Sequence, residues 1–262
     1  IINKIRMKIG ISTPSKVSNL ITIFRNLYSF VSGVNIMIDN DKFYIQGMDD
    51  SHVCFIEIFI KGSWFDEFEG DKNIIGINTE TLFKVINNWK EGYNMNLSFK
   101  DNDKLNITFK GDKLLTKRYQ IPTMLFDEDT IKVPETDYDL DLEMDSVVFK
   151  DIISEIADFD NTITFNCSLT KINLFADGDM GKVDIEIQEK DILEYAAALE
   201  DGDELELDYN VKNILQASNL YKLNECVKIH ISESMPIKIN YELPGCQESF
   251  VRLFVAPKIK DD

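Results

Sequence analysis

At 262 residues and 44% hydrophobic, the chain can bury a core in one large domain or in two of about 130 residues each, so it is globular. No apolar run reaches the ~18 residues that span a bilayer, and the first residues lack the charged-then-apolar plan of a signal peptide. The net charge of −18 is unevenly spread: residues 1–130 carry 16 Lys and Arg against 17 Asp and Glu, residues 131–262 carry 12 against 29. Such a surface repels nucleic acid at long range, so any binding to DNA has to rest on geometry or on a local basic face.

Taken in chain order, the pattern of elements occurs twice. The stretch 14–31, PSKVSNLITIFRNLYSFV, places Val17, Leu20, Ile21, Phe24 and Leu27 at helical spacing behind a Ser-Thr-Pro start. Alternating runs follow at NIMI (35–38), KFYIQGM (42–48) and HVCFIEIFI (52–60), separated by acidic turns. A second helix is expected at 79–90 and a hairpin at 97–109.

The second half repeats that order. A helix at 146–159 sets Val148, Ile152, Ile153 and Ile156 on one face, and strands are expected at 162–168, 171–177 and 182–188. A fourth helix at 210–223 and a hairpin at 229–241 complete the repeat. The expected fold class is α+β, two similar domains each with two helices packed on antiparallel sheet, at 1–119 and 138–262. Between them lies QIPTMLFDEDTIKVPETD (120–137), which reads as a long exposed connector. Its apolar Met124, Leu125, Phe126, Ile131 and Val133 are too many for a solvated tether and should pack against this protein or a partner.

Four scattered cysteines without a CxxC pair suit a reducing interior and read as small buried hydrophobes. No metal site, cofactor or catalytic residue is expected. The two histidines, His52 and His230, have no ligand or nucleophile at a useful spacing. His230 alternates with Ile229 and Ile231 and reads as a strand residue facing water. The acids of 135–145 alternate with Tyr138, Leu140 and Leu142, a solvated strand face rather than a hydrolase centre.

At GMDDSHV (47–53), IKVPETDY (131–138) and FVAPKIKDD (254–262) the chain resembles the proliferating cell nuclear antigen family, the eukaryotic and viral DNA sliding clamps. Three short matches in the right order around an internal repeat carry the resemblance over almost the whole chain. It implies the DNA-clamp fold: a homotrimeric ring with helices lining the hole and sheets outside, which is not an enzyme. Such a ring tethers DNA polymerase and other proteins bearing a clamp-binding motif to double-stranded DNA, without sequence preference, and an ATP-dependent clamp loader opens it. The chain has no GxxxxGK[ST] phosphate loop of its own. The implied location is the nucleus or, for a viral source, the site of viral DNA replication.

Three sets of residues follow from the resemblance. The inner helices offer Lys16, Arg25, Lys84, Lys90, Lys150, Lys212 and Lys222 as phosphate contacts, with Lys150 the weakest because Asp151, Glu155 and Asp158 crowd it. A client-peptide pocket would draw on Met48, His52 and Val53, on Phe126, Ile131 and Val133 of the connector, and on Pro236, Phe254, Ala256 and Pro257. Subunit contacts would use edge strands near 113–119, carrying Lys113, Lys117 and Arg118, and near 182–188, carrying Asp184 and Glu186. The lysine to which ubiquitin-type modifiers attach in eukaryotic members has no counterpart in register after Cys167. The rival within the fold is a clamp-like transcription or checkpoint factor without a processivity role.

Overall fold

A computed structural model describes residues 5–100, 104–127, 130–134 and 136–259. In the first half the elements are β1 (Ile5–Ile11), α1 (Pro14–Phe30), β2 (Gly33–Asp39), β3 (Lys42–Met48), β4 (Cys54–Lys61), β5 (Glu67–Gly70), β6 (Asn73–Asn78), α2 (Thr79–Ile86), β7 (Asn94–Lys100), β8 (Lys104–Lys110) and β9 (Lys117–Pro122). The second half runs β10 (Leu140–Asp145), α3 (Ser146–Ile156), β11 (Thr162–Cys167), β12 (Lys171–Gly178), β13 (Gly181–Gln188), β14 (Glu194–Ala197), β15 (Leu205–Asn210), α4 (Val211–Ser218), β16 (Cys226–Ser232), β17 (Met235–Leu243) and β18 (Cys246–Val255). Two compact units result: residues up to 50, 56–132 and 242–251 form one; residues 51–55, 133–241 and from 252 onward form the other. Among the described residues no helix is long and apolar enough to cross a membrane.

The duplication is visible in the strand order. In the first unit a five-stranded antiparallel sheet runs β5-β1-β7-β8-β9, and in the second unit β14-β10-β16-β17 repeats its first four places. Likewise β6-β2-β3 of the first unit corresponds to β15-β11-β12 of the second, where β13 forms the outer edge. Alternation drives the pleat: along β8, Leu105, Ile107 and Phe109 are buried while their neighbours are not, and along β10, Leu140, Leu142 and Met144 do the same.

Helix starts repeat too. The cap residues Thr13 and Asp145 are 132 positions apart, as are Asn78 and Asn210. Asn78 Oδ1 accepts from the Thr81 amide at 2.9 Å, Asn210 Oδ1 from Lys212 at 3.0 Å, and Asp145 Oδ1 from Val147 and Val148 at 2.8 and 2.9 Å. Thr13 makes no such bond through its side chain. There Asp66, just before β5, anchors the residues leading into the helix: its Oδ2 accepts from the Ser12 amide at 2.6 Å and the Thr13 amide at 3.0 Å, and its Oδ1 meets Lys16 Nζ at 2.6 Å.

Several boundaries differ from the periodicity. The apolar stripes of 79–90 and 210–223 outrun their helices, because Asn87 and Asn219 end them in tight turns, and so Lys90 and Lys222 stand beyond helix ends. In α3 the core face is Phe149, Ile153 and Ile156, leaving Val148 half exposed. The edge strand expected near 113–119 begins only at Lys117; Lys113 precedes it in a turn with φ of 53°.

Candidate nucleic-acid and partner-binding sites

The seven helix cations prove unequal. In the first unit Lys16 is tied to Asp66 and only partly exposed, and Lys84 reaches back one turn to Glu80 at 2.5 Å. Arg25 is exposed and lies over the Phe83 ring, 5.6 Å from its centroid. In the second unit Lys150 is half-buried, donates to Ser154 Oγ at 2.9 Å and has its pKa lowered by that burial. Lys90, Lys212 and Lys222 are exposed, and among the described residues no carboxylate forms an ion pair with them. The structure pairs α1 with α2 in one unit and α3 with α4 in the other, and the first pairing brings Arg25 over Phe83.

The start of the connector is seated on the first unit by side-chain amides, a feature that sequence reasoning missed. Asn35 of β2 clasps the Phe126 peptide from both sides, accepting from its N–H at 3.1 Å and donating to its carbonyl at 2.7 Å. Gln46 of β3 does the same for Ile131, at 3.0 and 2.6 Å. The Met124 amide donates to Gly76 O at 3.0 Å. A planar amide has one donor edge and one acceptor edge, so each clasp imitates a strand partner where no strand is present. Two glycines make room: a Cβ on Gly76 would stand 1.7 Å from the Met124 carbonyl oxygen, and one on Gly33 would stand 2.1 Å from the Phe126 ring.

The connector's apolar residues, expected to pack against this protein or a partner, divide between seated and outward-facing positions. Phe126 is half-buried over Gly33, and Val133 is half-buried, but Met124, Leu125 and Ile131 are 62%, 70% and 43% exposed. The peptide groups, not the side chains, hold this segment. Of the other expected pocket residues, Met48 lies at the end of β3 in the first unit, half-buried. In the second unit the Ala256 amide donates to Val53 O at 2.9 Å, and Phe254 packs on Phe55 with centroids 5.8 Å apart, so Val53, Phe254 and Ala256 come together. Pro236 and Pro257 are half-buried there, while His52 is exposed with φ of 58°, a left-handed conformation uncommon for a residue with a side chain.

Both strands expected at subunit contacts are edges. β9 closes the five-stranded sheet and β13 the four-stranded one. Arg118 is exposed, but Lys117 sits over the Tyr93 ring at 5.0 Å and donates to Asn88 O. On β13 Asp184 is exposed, and Glu186 pairs with Lys171 at 2.7 Å, a bond that lowers its pKa. His230 is not a water-facing strand residue. It is half-buried, bonded to Asp141 across the β10–β16 pair and packed against Tyr138, and burial lowers its pKa against the pull of Asp141. Burial likewise pushes the Cys167 thiol up to about 12, so this cysteine is a packed, unreactive group.

Comparison with known proteins gives a concordant picture. The family model of the proliferating cell nuclear antigen N-terminal domain matches residues 13–131, and that of the C-terminal domain matches residues 132–259. Proliferating cell nuclear antigen of Chaetomium thermophilum is 26% identical over 88% of this chain and 91% of its own length. DNA polymerase sliding clamp 3 of Sulfurisphaera tokodaii is 27% identical over 90% and 94%. The crystal structure of the PCNA2–PCNA3 complex from Sulfolobus tokodaii superimposes with a TM-score of 0.84 at 24% identity, covering 96% of this chain and 99% of that one.

Proposed function

The chain belongs to the proliferating cell nuclear antigen family, and on that premise we propose how this DNA sliding clamp holds its own copies, its clients and DNA. The domains are 1–119 and 138–262, joined by the connector 120–137. The observation that carries the reading is the duplicated strand order ending in two unpaired edges, β9 and β13. An edge carrying Arg118 repels its own copy and attracts one carrying Asp184, which favours head-to-tail pairing, and head-to-tail pairing closes rings. A homotrimer is the assembly we infer, opened by an ATP-dependent loader. Arg118→Glu is expected to move the solution mass from about three chains toward one in light scattering; an unchanged mass would remove β9 from the interface.

Clients are held, in this reading, through an apolar plug at Val53, Phe254, Ala256 and Pro257 of the second unit. A ring held on DNA by topology needs few phosphate contacts, since each one slows sliding. That is consistent with a net charge of −18 and with Arg25, Lys90, Lys212 and Lys222 as the exposed helix cations that form no ion pair among the described residues. Its place of work is wherever DNA is replicated.

The decisive test is long-product synthesis on primed circular DNA with polymerase and loader. The protein is expected to stimulate it, and Val53→Glu, which sets a charge into the plug, is expected to reduce stimulation at least about tenfold by desolvation of an unpaired carboxylate. Absence of stimulation by the unaltered protein would overturn the reading. The rival of a transcription or checkpoint factor is not favoured, since the relatives are named proliferating cell nuclear antigen or DNA polymerase sliding clamp.

A further inference from the structure

Helix α1 neighbours α2, and Leu20, Phe24 and Leu27 of the one and Leu82 and Ile86 of the other are all buried. Outside that core a second aromatic contact is made. Tyr28 and Phe83 stack with centroids 5.8 Å apart and planes 11° from parallel, yet Tyr28 is 42% exposed. Arg25, one turn before Tyr28 on α1, lays its guanidinium over the same Phe83. Three side chains from two helices thus form a shelf that the helix packing does not require.

Its chemistry favours one kind of ligand. A guanidinium stacked on a ring keeps its donor edge outward and has already lost much of the rotamer freedom that a solvated arginine gives up on binding. The phenol beside it is an additional donor. Neighbouring cations of this unit are committed elsewhere, Lys16 to Asp66 and Lys84 to Glu80. We propose that Arg25, Tyr28 and Phe83 form a phosphate-binding shelf for duplex DNA, in which Arg25 and the Tyr28 hydroxyl contact the backbone and Phe83 is the positioning residue for the guanidinium. The proposal rests on the sliding-clamp reading and assigns Tyr28 and Phe83 roles within it.

The test is fluorescence anisotropy of a short labelled duplex titrated with the full chain between about 50 and 200 mM salt. Arg25→Gln should flatten the plot of log affinity against log salt by about 0.9. Arg25→Lys and Phe83→Leu keep the charge and should leave the slope unchanged while weakening binding about two- to fivefold, and Phe83→Tyr should restore it. Tyr28→Phe keeps the stack and should weaken binding about two- to tenfold with no change in slope. A purely structural role for Phe83 would lower the melting temperature without distinguishing Leu from Tyr at the DNA. If the unaltered protein binds and stimulates polymerase but Phe83→Leu and the exposed Arg25→Lys both match it, the shelf is wrong and the clamp reading stands. If the unaltered protein neither binds nor stimulates, both fall.

Discussion

Replacing Gly76 with alanine is expected to lower the melting temperature by about 5–10 °C and to free the connector from β6. The added methyl would meet the Met124 carbonyl oxygen at 1.7 Å, and that atom is backbone, so no rotamer change relieves the clash. Either β6 or the connector moves, and movement of the connector breaks the Met124 N–H bond to Gly76 O. Hydrogen exchange at the Met124 amide should accelerate about tenfold or more, the loss expected for one released bond. Gly33→Ala sets its methyl against the Phe126 ring, a side chain that can rotate, so its effect should be smaller. A Gly76→Ala protein with native melting and native exchange at Met124 would show that the connector is not seated there in solution.

Asp66→Ala is expected to destabilise the protein by about 2–3 kcal/mol at neutral pH, read from the urea midpoint. This carboxylate pins the two residues that lead into α1, accepting from both backbone amides and both hydroxyls of Ser12 and Thr13 while pairing with Lys16. Partial burial works to raise its pKa, but the Lys16 ammonium and the Ser12 and Thr13 donors outweigh it and hold the carboxyl well below its usual value. A lowered carboxyl contributes stability that is full above the ordinary value near 3.8 and is lost as the pH falls through the lowered one. The gap between the unaltered protein and Asp66→Ala should therefore be constant from neutral pH to about 5 and narrow below 4. A gap that stayed the same down to pH 2 would mean that the carboxylate's charge is not what holds the start of α1. Because α1 carries Arg25, the same substitution ties helix stability to the proposed DNA contact.

The four helices and the repeat were legible because a long apolar stripe behind a cap residue has few alternatives to a helix. Their ends were not, since Trp89 and Leu223 continue the stripe after Asn87 and Asn219 have already turned the chain. Short strands such as β5, with alternating exposed and half-buried residues, and β14, much the same, carry too little apolar signal to be read without their partners in the sheet. The edge at 113–119 was misplaced by four residues because Leu114 and Leu115 look like strand core, yet they are 43% and 83% exposed in the turn.

The sites divide in the same way. Residue type marked Arg25 and Lys212 as available cations, and neighbouring acids set Lys150 apart, but no sequence feature separated Lys16, whose partner Asp66 lies 50 residues away and is known only once the chain is folded. Asn35 and Gln46 were passed over as polar strand positions. The signal was present as an amide at a place where alternation would put a solvated residue, next to a segment whose peptide groups lacked a strand partner. His230 was misjudged because alternation reports which face of a sheet a residue occupies, and Tyr138 and Asp141 cover that face.

The two amide clasps also bear on how this protein could change over time. A strand in a sheet is constrained twice, by its ladder and by side chains that must fit a core. Between Met124 and Ile131 those constraints are separated: Asn35 and Gln46 grip main-chain atoms that every residue type but proline presents alike, and Met124, Leu125 and Ile131 face outward. Substitutions on the outward positions can accumulate with little penalty to folding, so the surface displayed there is free to drift while the anchor points hold still. Variation should be tolerated at Met124, Leu125 and Ile131 and resisted at Asn35, Gln46, Gly33 and Gly76, an inversion of the usual rule that apolar residues are kept and polar ones exchanged.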